Sequence, residues 1–432
     1  MRICLVGYGV SNKALLENIL LKENYEVFVS NNKPLKKEDK YLLDLHNIQY
    51  EEEHGKLLRN CDLAILSPGV KPDSEVVKVL KTSNIKISTE IEFAWNYIKK
   101  HNPEAVFVGI TGTNGKSTTT QLTGHILSST YNTFVCGNIG TPLSSAPLDK
   151  EIYVVEVSSF QLFWGSTFTP EISVLLNLMP DHLNWHSSLE EYYNTKINMV
   201  KRTVMGNGMA FVNANLRGYF DNLQRIVLFG ENGNIVWKNN MIEAGNIVIN
   251  INNLSLQFEL YQEDVMAAVG VALNLDISKN VIEEFISTFK TLEHRLEFIE
   301  EYNGIRFFND SKATNAHAAY SAYKSFRNKG YIAMLSGIPK NEDMTMLLEE
   351  LQQYAKKTIV FGKMVDEIKK YEFFNNYIIT DTFEKAFELA LEWSERGDSI
   401  ILSPAGASFD LFENYKERGR VFKEAVKSLK WR

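Results

Sequence analysis

VFVGITGTNGKSTTTQLTGHIL, residues 106–127, is the stretch from which the rest of the chain can be read. A β-branched apolar run enters Gly-Thr-Asn-Gly-Lys-Ser-Thr and leaves as a helical stretch, so strand, tight loop and helix follow one another. Such a loop turns backbone N–H groups toward an anion at the start of a helix, which makes it a phosphate-binding loop. Gly112 and Gly115 supply the backbone freedom, with Thr113, Asn114 and Thr118 completing the loop and first turn. Lys116 can reach terminal phosphates, and the Ser117 hydroxyl can ligate Mg²⁺. Ile110 stands where the strict G-x-x-x-x-G-K-[ST] pattern has its first glycine. A glycine-rich turn with an exposed lysine is therefore the competing reading, and the strand before and helix after weigh against it.

Downstream, IYVVEVSSFQL at 152–162 sets Glu156 among apolar neighbours, where an ionised carboxylate needs a cation or hydrogen-bond donors. A Mg²⁺ near the loop and a paired lysine both satisfy that need. NLMPDHLNWHSSLEEYYNTKINMV at 177–200 follows with Asp181, His182, Asn184 and His186, then a helix bearing Lys196. A lone histidine is usually structural, but polar groups after the carboxyl end of a buried strand sit where doubly wound sheets hold their sites. Upstream, VGYGVSN at 6–12 has the form G-x-G-x-x-G with Asn12 in place of the last glycine, and SPG occupies 67–69. Each reads either as a diphosphate contact or as a plain strand-to-helix turn. Ser30, rather than an acidic residue, ends the second strand and argues against ribose recognition of the NAD kind. Further on, His294 with Arg295, and Asp310 with Lys312 and Thr314, form polar clusters beside apolar strands. LSPAGASFDLFENYKERG at 402–419, with Ser408 and Asp410, is a bare turn or a carboxylate site built on backbone donors.

The wider pattern is α/β. ICLV, EVFVS, DLAILSPG and IKIST alternate with helical stretches over residues 3–89, and a polar segment with Pro103 at 96–105 reads as a linker. IYVVEV, ISVLLNL, MAFVNAN and RIVLFG continue the alternation to residue 230, as near-continuous apolar runs expected of a parallel sheet covered on both faces. NIVWKNN, MIEAGNIVIN and LSLQFEL, within 234–260, look like antiparallel hairpins at an edge. The βα alternation resumes with YIAMLSG, KTIVFG, YIIT and DSIILSPAG. A chain of 432 residues has room for about three domains of roughly 150 residues. The expected boundaries are 1–95, 96–293 and 294–432. The net charge of −7, without a long basic run, disfavours nucleic acid as a partner. Three scattered cysteines give no disulfide framework, and no apolar run approaches the ~18 residues of a membrane span. The expectation is a cytoplasmic monomer with small-molecule partners.

Taken in order, GTNGKST, EVSSFQL, DHLNWH with its following lysine, EHRLEF, NDSKAT and LSPAGASFD resemble the Mur ligases over nearly the whole chain. EVSSFQL, NDSKAT and LSPAGASFD favour the branch that adds D-glutamate. The resemblance implies a Rossmann-like, UDP-binding first domain, a central P-loop ATPase domain with a mostly parallel sheet, and a Rossmann-like third domain that binds the amino acid. It implies that ATP phosphorylates the carboxylate of UDP-N-acetylmuramoyl-L-alanine, and that the amine of D-glutamate then displaces phosphate. On that resemblance Lys116 and the loop hold the phosphates, Ser117 and Glu156 ligate one Mg²⁺, and His182 and Lys196 serve a second. A lysine ammonium cannot bind a cation, so the resemblance implies that Lys196 carries CO₂ as a carbamate. Ser11, Asn12, Ser67, Pro68, Gly69 and Asn138 are expected near the UDP-sugar, and Arg295 and Asp310 near the γ-phosphate and ribose of ATP. Lys312 and Thr314 lie in the same strip, and Lys340, Ser408, Phe409 and Tyr415 fall at the D-glutamate site. The chain departs from the family at Glu263, Asp264, Val265, Met266 and Ala267, where His-Asn-x-x-Asn is usual, and at Tyr415, where an apolar aromatic is common.

Three other readings compete. Folylpolyglutamate synthetases share the ATPase core but lack a UDP-binding first domain, whereas residues 1–95 form a complete-looking βα unit. An NAD-dependent oxidoreductase leaves GTNGKST and Glu156 without a use. A nucleotide switch leaves His182, Lys196, Lys312 and Ser408 without one.

Overall fold

The computed structural model describes residues 1–55, 57–251, 261–289, 292–327, 329–340 and 342–429. One compact unit holds the described residues of 1–253 and 262–289, and a second holds those of 254–261 and 290–432.

The first unit contains two sheets. In the first, β1 (Arg2–Val6), β2 (Glu26–Ser30), β3 (Gln49–Glu51), β4 (Leu63–Leu66) and β5 (Lys86–Ser88) are parallel, in the order β3-β2-β1-β4-β5. The order reverses between β1 and β4, so their carboxyl ends frame the crevice of a doubly wound sheet. Asn12 closes that point from within. Its Nδ2 donates to the carbonyls of Gly7 (2.8 Å) and Ile65 (3.1 Å), and the side chain has no exposed surface. β3, QYE, is too short and polar to show an alternating pattern, and sequence reading passed over it.

In the second sheet, nine strands lie among the described residues: β6 (Val106–Thr111), β7 (Thr133–Gly137), β8 (Ile152–Glu156), β9 (Ile172–Leu175), β10 (Met209–Asn213), β11 (Ile226–Phe229), β12 (Ile235–Lys238), β13 (Met241–Ala244) and β14 (Ile247–Asn250). The order is β14-β13-β12-β11-β10-β9-β6-β8-β7, parallel except for the β12–β13 and β13–β14 hairpins. Asn239 and Asn240, at φ 46° and 59°, make the first hairpin turn, since both central positions of a type I′ turn require positive φ. The expected edge hairpins are thus present over 235–250, and LSLQFEL lies outside the described residues. β7, TFVCG, is a partly buried edge strand that no apolar pattern announced.

The segment expected as a linker is mostly helix. Glu90–His101 is capped by the Thr89 side chain, which accepts from Glu92 N, and ends on Lys99, Lys100 and His101. Basic residues complement the carboxyl end of a helix, and Pro103 stops it. Polarity at 96–101 therefore marked a helix terminus. Ala94 and Ile98 on that helix belong to one apolar cluster with Leu5 and Ile65 of the first sheet and Phe107 and Tyr153 of the second. Lys71 Nζ donates to Asn184 O (2.8 Å), and Trp164 Nε1 donates to Val70 O (3.2 Å), adding polar ties across the same junction.

The second unit carries β15 (Glu297–Tyr302), β16 (Ile305–Asn309), β17 (Tyr331–Ser336), β18 (Lys357–Phe361), β19 (Tyr377–Thr380) and β20 (Ser399–Ala405), in the order β15-β16-β20-β17-β18-β19. β15 and β16 are antiparallel, and the remaining pairs are parallel. Asn303-Gly304, at φ 52° and 80°, joins the hairpin, and the Asn-Gly pair is its sequence signal. No described helix is long and apolar enough to cross a membrane.

Candidate functional site

The phosphate loop hangs between the end of β6 and the helix Lys116–Leu127, whose N-cap is Gly115 at φ 81°. A side chain at Gly115 would be strained by that φ, and its Cβ would stand 2.2 Å from Asp264 Oδ1. Asp264, part of the departure at 263–267, also accepts from Thr119 Oγ1 at 3.0 Å. Asn177 moulds the front of the loop. Its Oδ1 accepts from Thr113 N (3.1 Å) and Asn114 N (2.8 Å), so these two N–H groups already have partners. The first helical turn, Lys116, Ser117 and Thr118, then presents the remaining donors by helix geometry. Lys116 Nζ folds back to Gly112 O (2.9 Å) and Thr113 O (2.7 Å).

Lys196 projects from the helix Leu189–Met205 to the same loop, where its Nζ donates to Gly112 O at 2.9 Å. It is 1% exposed, and burial together with the charge of Lys116 holds its pKa well below the usual lysine range. Tyr192, one turn earlier, joins the pieces. Its hydroxyl meets Thr113 Oγ1 at 3.0 Å, its ring lies 4.8 Å from Lys196 Nζ, and the His182 ring is 6.0 Å away. His182 has φ 56°, a left-handed backbone that non-glycine residues adopt rarely and that clusters at functional positions. Asp181 Oδ1 accepts from the His182 backbone N at 2.7 Å.

Glu156 ends β8 beside β6, opposite Ile110 in register. Its Oε1 accepts from Asn138 Nδ2 at 2.8 Å, while its Oε2 is buried without a hydrogen-bond partner among the described residues. A buried carboxylate oxygen without a donor fits a metal ligand. Asn138, expected at the sugar substrate, thus orients Glu156. His186 shares an aromatic cluster with His182, since both rings pack on Phe160 and Tyr192, but it is buried, with Phe163 and Trp185 around it and Nε2 on Ser159 Oγ at 3.0 Å. In the first sheet, Ser67 Oγ donates to Gly7 O (2.8 Å) across the crevice, with Ser11 and Pro68 partly exposed and Gly69 exposed around it.

In the second unit, Asp310 is buried, accepts from Ser403 Oγ (2.6 Å) and Leu296 N (3.1 Å), and is pushed up to about 7 by burial. Arg295, partly exposed, accepts at its carbonyl from Tyr261 Oη. Lys312 Nζ lies 5.5 Å from the Tyr415 ring, and Lys312 N donates to His294 O (3.0 Å). Thr314 is partly exposed two residues on, Ser408 is buried, Lys340 is exposed and Phe409 is 70% exposed. His294, Leu296 and Ala405, at φ 64°, 41° and 61°, concentrate backbone strain on this strip. Arg418 was not picked out from the sequence: it has no exposed surface and bonds to Ser311 and Gly406. Asn177 and Tyr192 were also missed, although both lie in the segment that carries His182 and Lys196.

Known proteins resemble the chain over nearly its whole length. Residues 2–76 match the family model described as the MurD N-terminal domain, 110–267 the Mur ligase middle domain, and 294–406 the Mur ligase glutamate ligase domain. A UDP-N-acetylmuramoylalanine–D-glutamate ligase of Petrotoga mobilis is 52% identical over 98% of each chain. The enzyme of that name from Thermotoga maritima is 35% identical over 99% of this chain and 98% of its own. Among solved structures, the MurF ligase of Thermotoga maritima in complex with ADP aligns over 94% of this chain and 97% of its own with a TM-score of 0.64 at 16% identity. A pseudomurein peptide ligase type C from Methanothermus fervidus aligns over 98% and 99%, with a TM-score of 0.61 at 18% identity. At such identities these two likenesses speak for the fold. With three successive domain matches and full-length relatives, the chain belongs to the Mur ligase family.

Proposed function

We propose that this protein is an ATP-dependent ligase that adds D-glutamate to UDP-N-acetylmuramoyl-L-alanine in peptidoglycan precursor synthesis, releasing ADP and phosphate. The observation that carries the reading is the meeting of the Lys116 loop, buried Lys196 and Tyr192 around Gly112 and Thr113, with the orphaned Glu156 oxygen on the adjoining strand. The 52% identical ligase supports the choice of D-glutamate. Residues 1–95 are assigned to the UDP-sugar, 96–293 to ATP and 294–432 to the amino acid. The protein is assigned to the cytoplasm, as a monomer acting on small molecules without nucleic acid or membrane.

The reaction has two steps. A substrate carboxylate oxygen attacks the γ-phosphorus of ATP, ADP leaves, and the acyl phosphate forms. The D-glutamate amine then attacks the acyl carbon, a C–N bond forms, the C–O bond to phosphate breaks, and the amine gives up a proton. Lys116 and the helix-start donors from Gly115 to Thr118 hold the phosphates in line for the first step. Ser117 and Glu156 are the residues to hold one Mg²⁺, with Asn138 fixing the carboxylate. His182 and Lys196 are the residues to hold a second. Bound there, Mg²⁺ would supply neutralisation of the developing negative charge. Lys196 fits a carbamate because burial and Lys116 favour its neutral amine, whose lone pair can attack CO₂, forming the N–C bond and releasing a proton. Arg295 and Asp310 are assigned to ATP, and Lys312, Thr314, Lys340, Ser408, Phe409 and Tyr415 to the acceptor. Ser11, Ser67, Pro68 and Gly69 are assigned to the nucleotide sugar, with Asn12 acting through the carbonyls it ties.

The test is phosphate release with ATP, Mg²⁺, UDP-N-acetylmuramoyl-L-alanine and a panel of D-amino acids. Release that needs both the nucleotide sugar and D-glutamate, with a product one glutamyl residue heavier, is expected. Release indifferent to the sugar, or dependent on a folate, contradicts the proposal.

A further inference from the structure

Arg418 is a fully buried guanidinium in the first turn of the helix Tyr415–Ser428. A cation there opposes the helix dipole, and burial lowers its pKa to about 10. Its acceptors are all neutral. Nε donates to Ser311 Oγ (3.0 Å), Nη2 to Ser311 O (2.9 Å), and Nη1 to Gly406 O (3.1 Å) and, more weakly, to Ser336 Oγ (3.5 Å). Among the described residues no carboxylate lies within ion-pairing distance of it, and Asp410 and Asp310 are the charges that act on it from further away.

The three acceptor residues lie on three different chain segments. Ser311 stands between Asp310 and Lys312, Ser336 ends β17 ahead of the loop to Lys340, and Gly406 follows β20 two residues before Ser408. The last two segments are also tied to each other, with Ile338 N on Ala407 O (2.7 Å) and Ala407 N on Ile338 O (2.9 Å). Gly337 allows that approach at φ 97°, since a Cβ there would stand 2.5 Å from Ala407 O.

We propose that Arg418 is the positioning residue of the acceptor site: it fixes the 311–314, 336–340 and 406–409 segments in one register, and its unpaired charge favours an acceptor carrying extra carboxylate. The proposal rests on the assignment of these segments to D-glutamate. A planar guanidinium reaches backbone and hydroxyl acceptors on separate segments at once, whereas an ammonium on a shorter stem cannot replace that fork. A positive charge left without an ion pair in a low-dielectric interior also acts beyond its own contacts.

The experiment compares full-length Arg418→Lys and Arg418→Met with the parent protein. For Arg418→Lys the expected result is a KM for D-glutamate raised at least tenfold, with kcat at saturating D-glutamate and KM for ATP and the nucleotide sugar within about threefold. Arg418→Met, which also loses the charge, should narrow the preference for D-glutamate over D-glutamine further. Backbone hydrogen exchange should rise together in the three segments and stay unchanged in β18 and β19. Equal rises in all three KM values, an unchanged KM for D-glutamate, or unchanged exchange in the three segments would overturn the proposal. If either variant fails to fold, guanidinium rescue of Arg418→Gly replaces it, with recovery of the low KM expected and no recovery counting against the brace. If the parent protein shows no D-glutamate-dependent turnover, the functional reading fails instead. Hydrogen exchange then decides the brace alone.

Discussion

Lys196 is the residue on which the site's electrostatics turn, because burial beside Lys116 disfavours its ammonium form. With ¹³C-bicarbonate supplied, a carbamate carbon resonance should appear in the parent protein and be absent from Lys196→Ala. Carbamate occupancy should fall as the pH drops and the amine is protonated, and activity should follow. A parent protein that is fully active in rigorously CO₂-free buffer would contradict this assignment. Lys116→Ala removes the loop's own side-chain cation from the ATP phosphates and should lower kcat about a hundredfold to a thousandfold in steady-state assays. Residues of this kind were legible in the sequence because a charge beside a buried strand needs an explanation. Asn177, Tyr192 and Arg418 were not, because each serves backbone or hydroxyl groups far away in the chain. The Asn177 bond to Thr113, for example, spans 64 positions, and nothing local to Asn177 announces it.

At the scale of elements, the loop and its neighbours behave as a preformed mould. Asn177→Ala removes the Oδ1 acceptor of Asn114 N while Thr113 N keeps the Asn177 backbone carbonyl at 3.0 Å, so a cost at the lower end of about 1–3 kcal/mol is expected. A raised KM for ATP and a lower melting temperature are expected together. Asn177→Asp keeps the acceptor but sets a negative charge at the loop, so KM for ATP should rise with little loss of stability. The helix Glu90–His101 carries a second testable feature. Glu90 is buried, accepts from Ser144 N (2.6 Å), and burial raises its pKa from 4.5 to about 7. The fold therefore keeps a proton on Glu90 that the unfolded chain releases near pH 4.5, and its contribution to stability falls as pH rises from there to about 7. Glu90→Gln lacks that loss. Its stability relative to the parent in urea unfolding should grow between pH 5 and pH 8, by at most about 3 kcal/mol at 1.36 kcal/mol per pKa unit. A difference that does not change with pH would count against the buried acid. Element boundaries were the least legible part of the sequence. The 96–101 segment looked like a linker because basic residues and a nearby proline mark a helix end as readily as a loop, while β3 and β7 are too short or too exposed to carry a period.

Across the whole molecule, the described residues form three sheets: a doubly wound sheet with its switch point at Gly7 and Ser67, a mostly parallel sheet with the Lys116 loop on a strand flanked by β9 and β8, and a sheet whose strand-end segments meet over Arg418. That division was readable from the alternation of apolar runs and from the order of the motifs. The order of strands within each sheet depends on long-range pairing and was not. The central claim is that the carboxylate is activated by phosphoryl transfer before the amine attacks. UDP-N-acetylmuramoyl-L-alanine labelled with ¹⁸O in its carboxylate, incubated with ATP, Mg²⁺ and D-glutamate, tests it most directly. Transfer of one labelled oxygen to the released phosphate for each amide formed is the predicted result, and phosphate that emerges without label while the amide accumulates would contradict it.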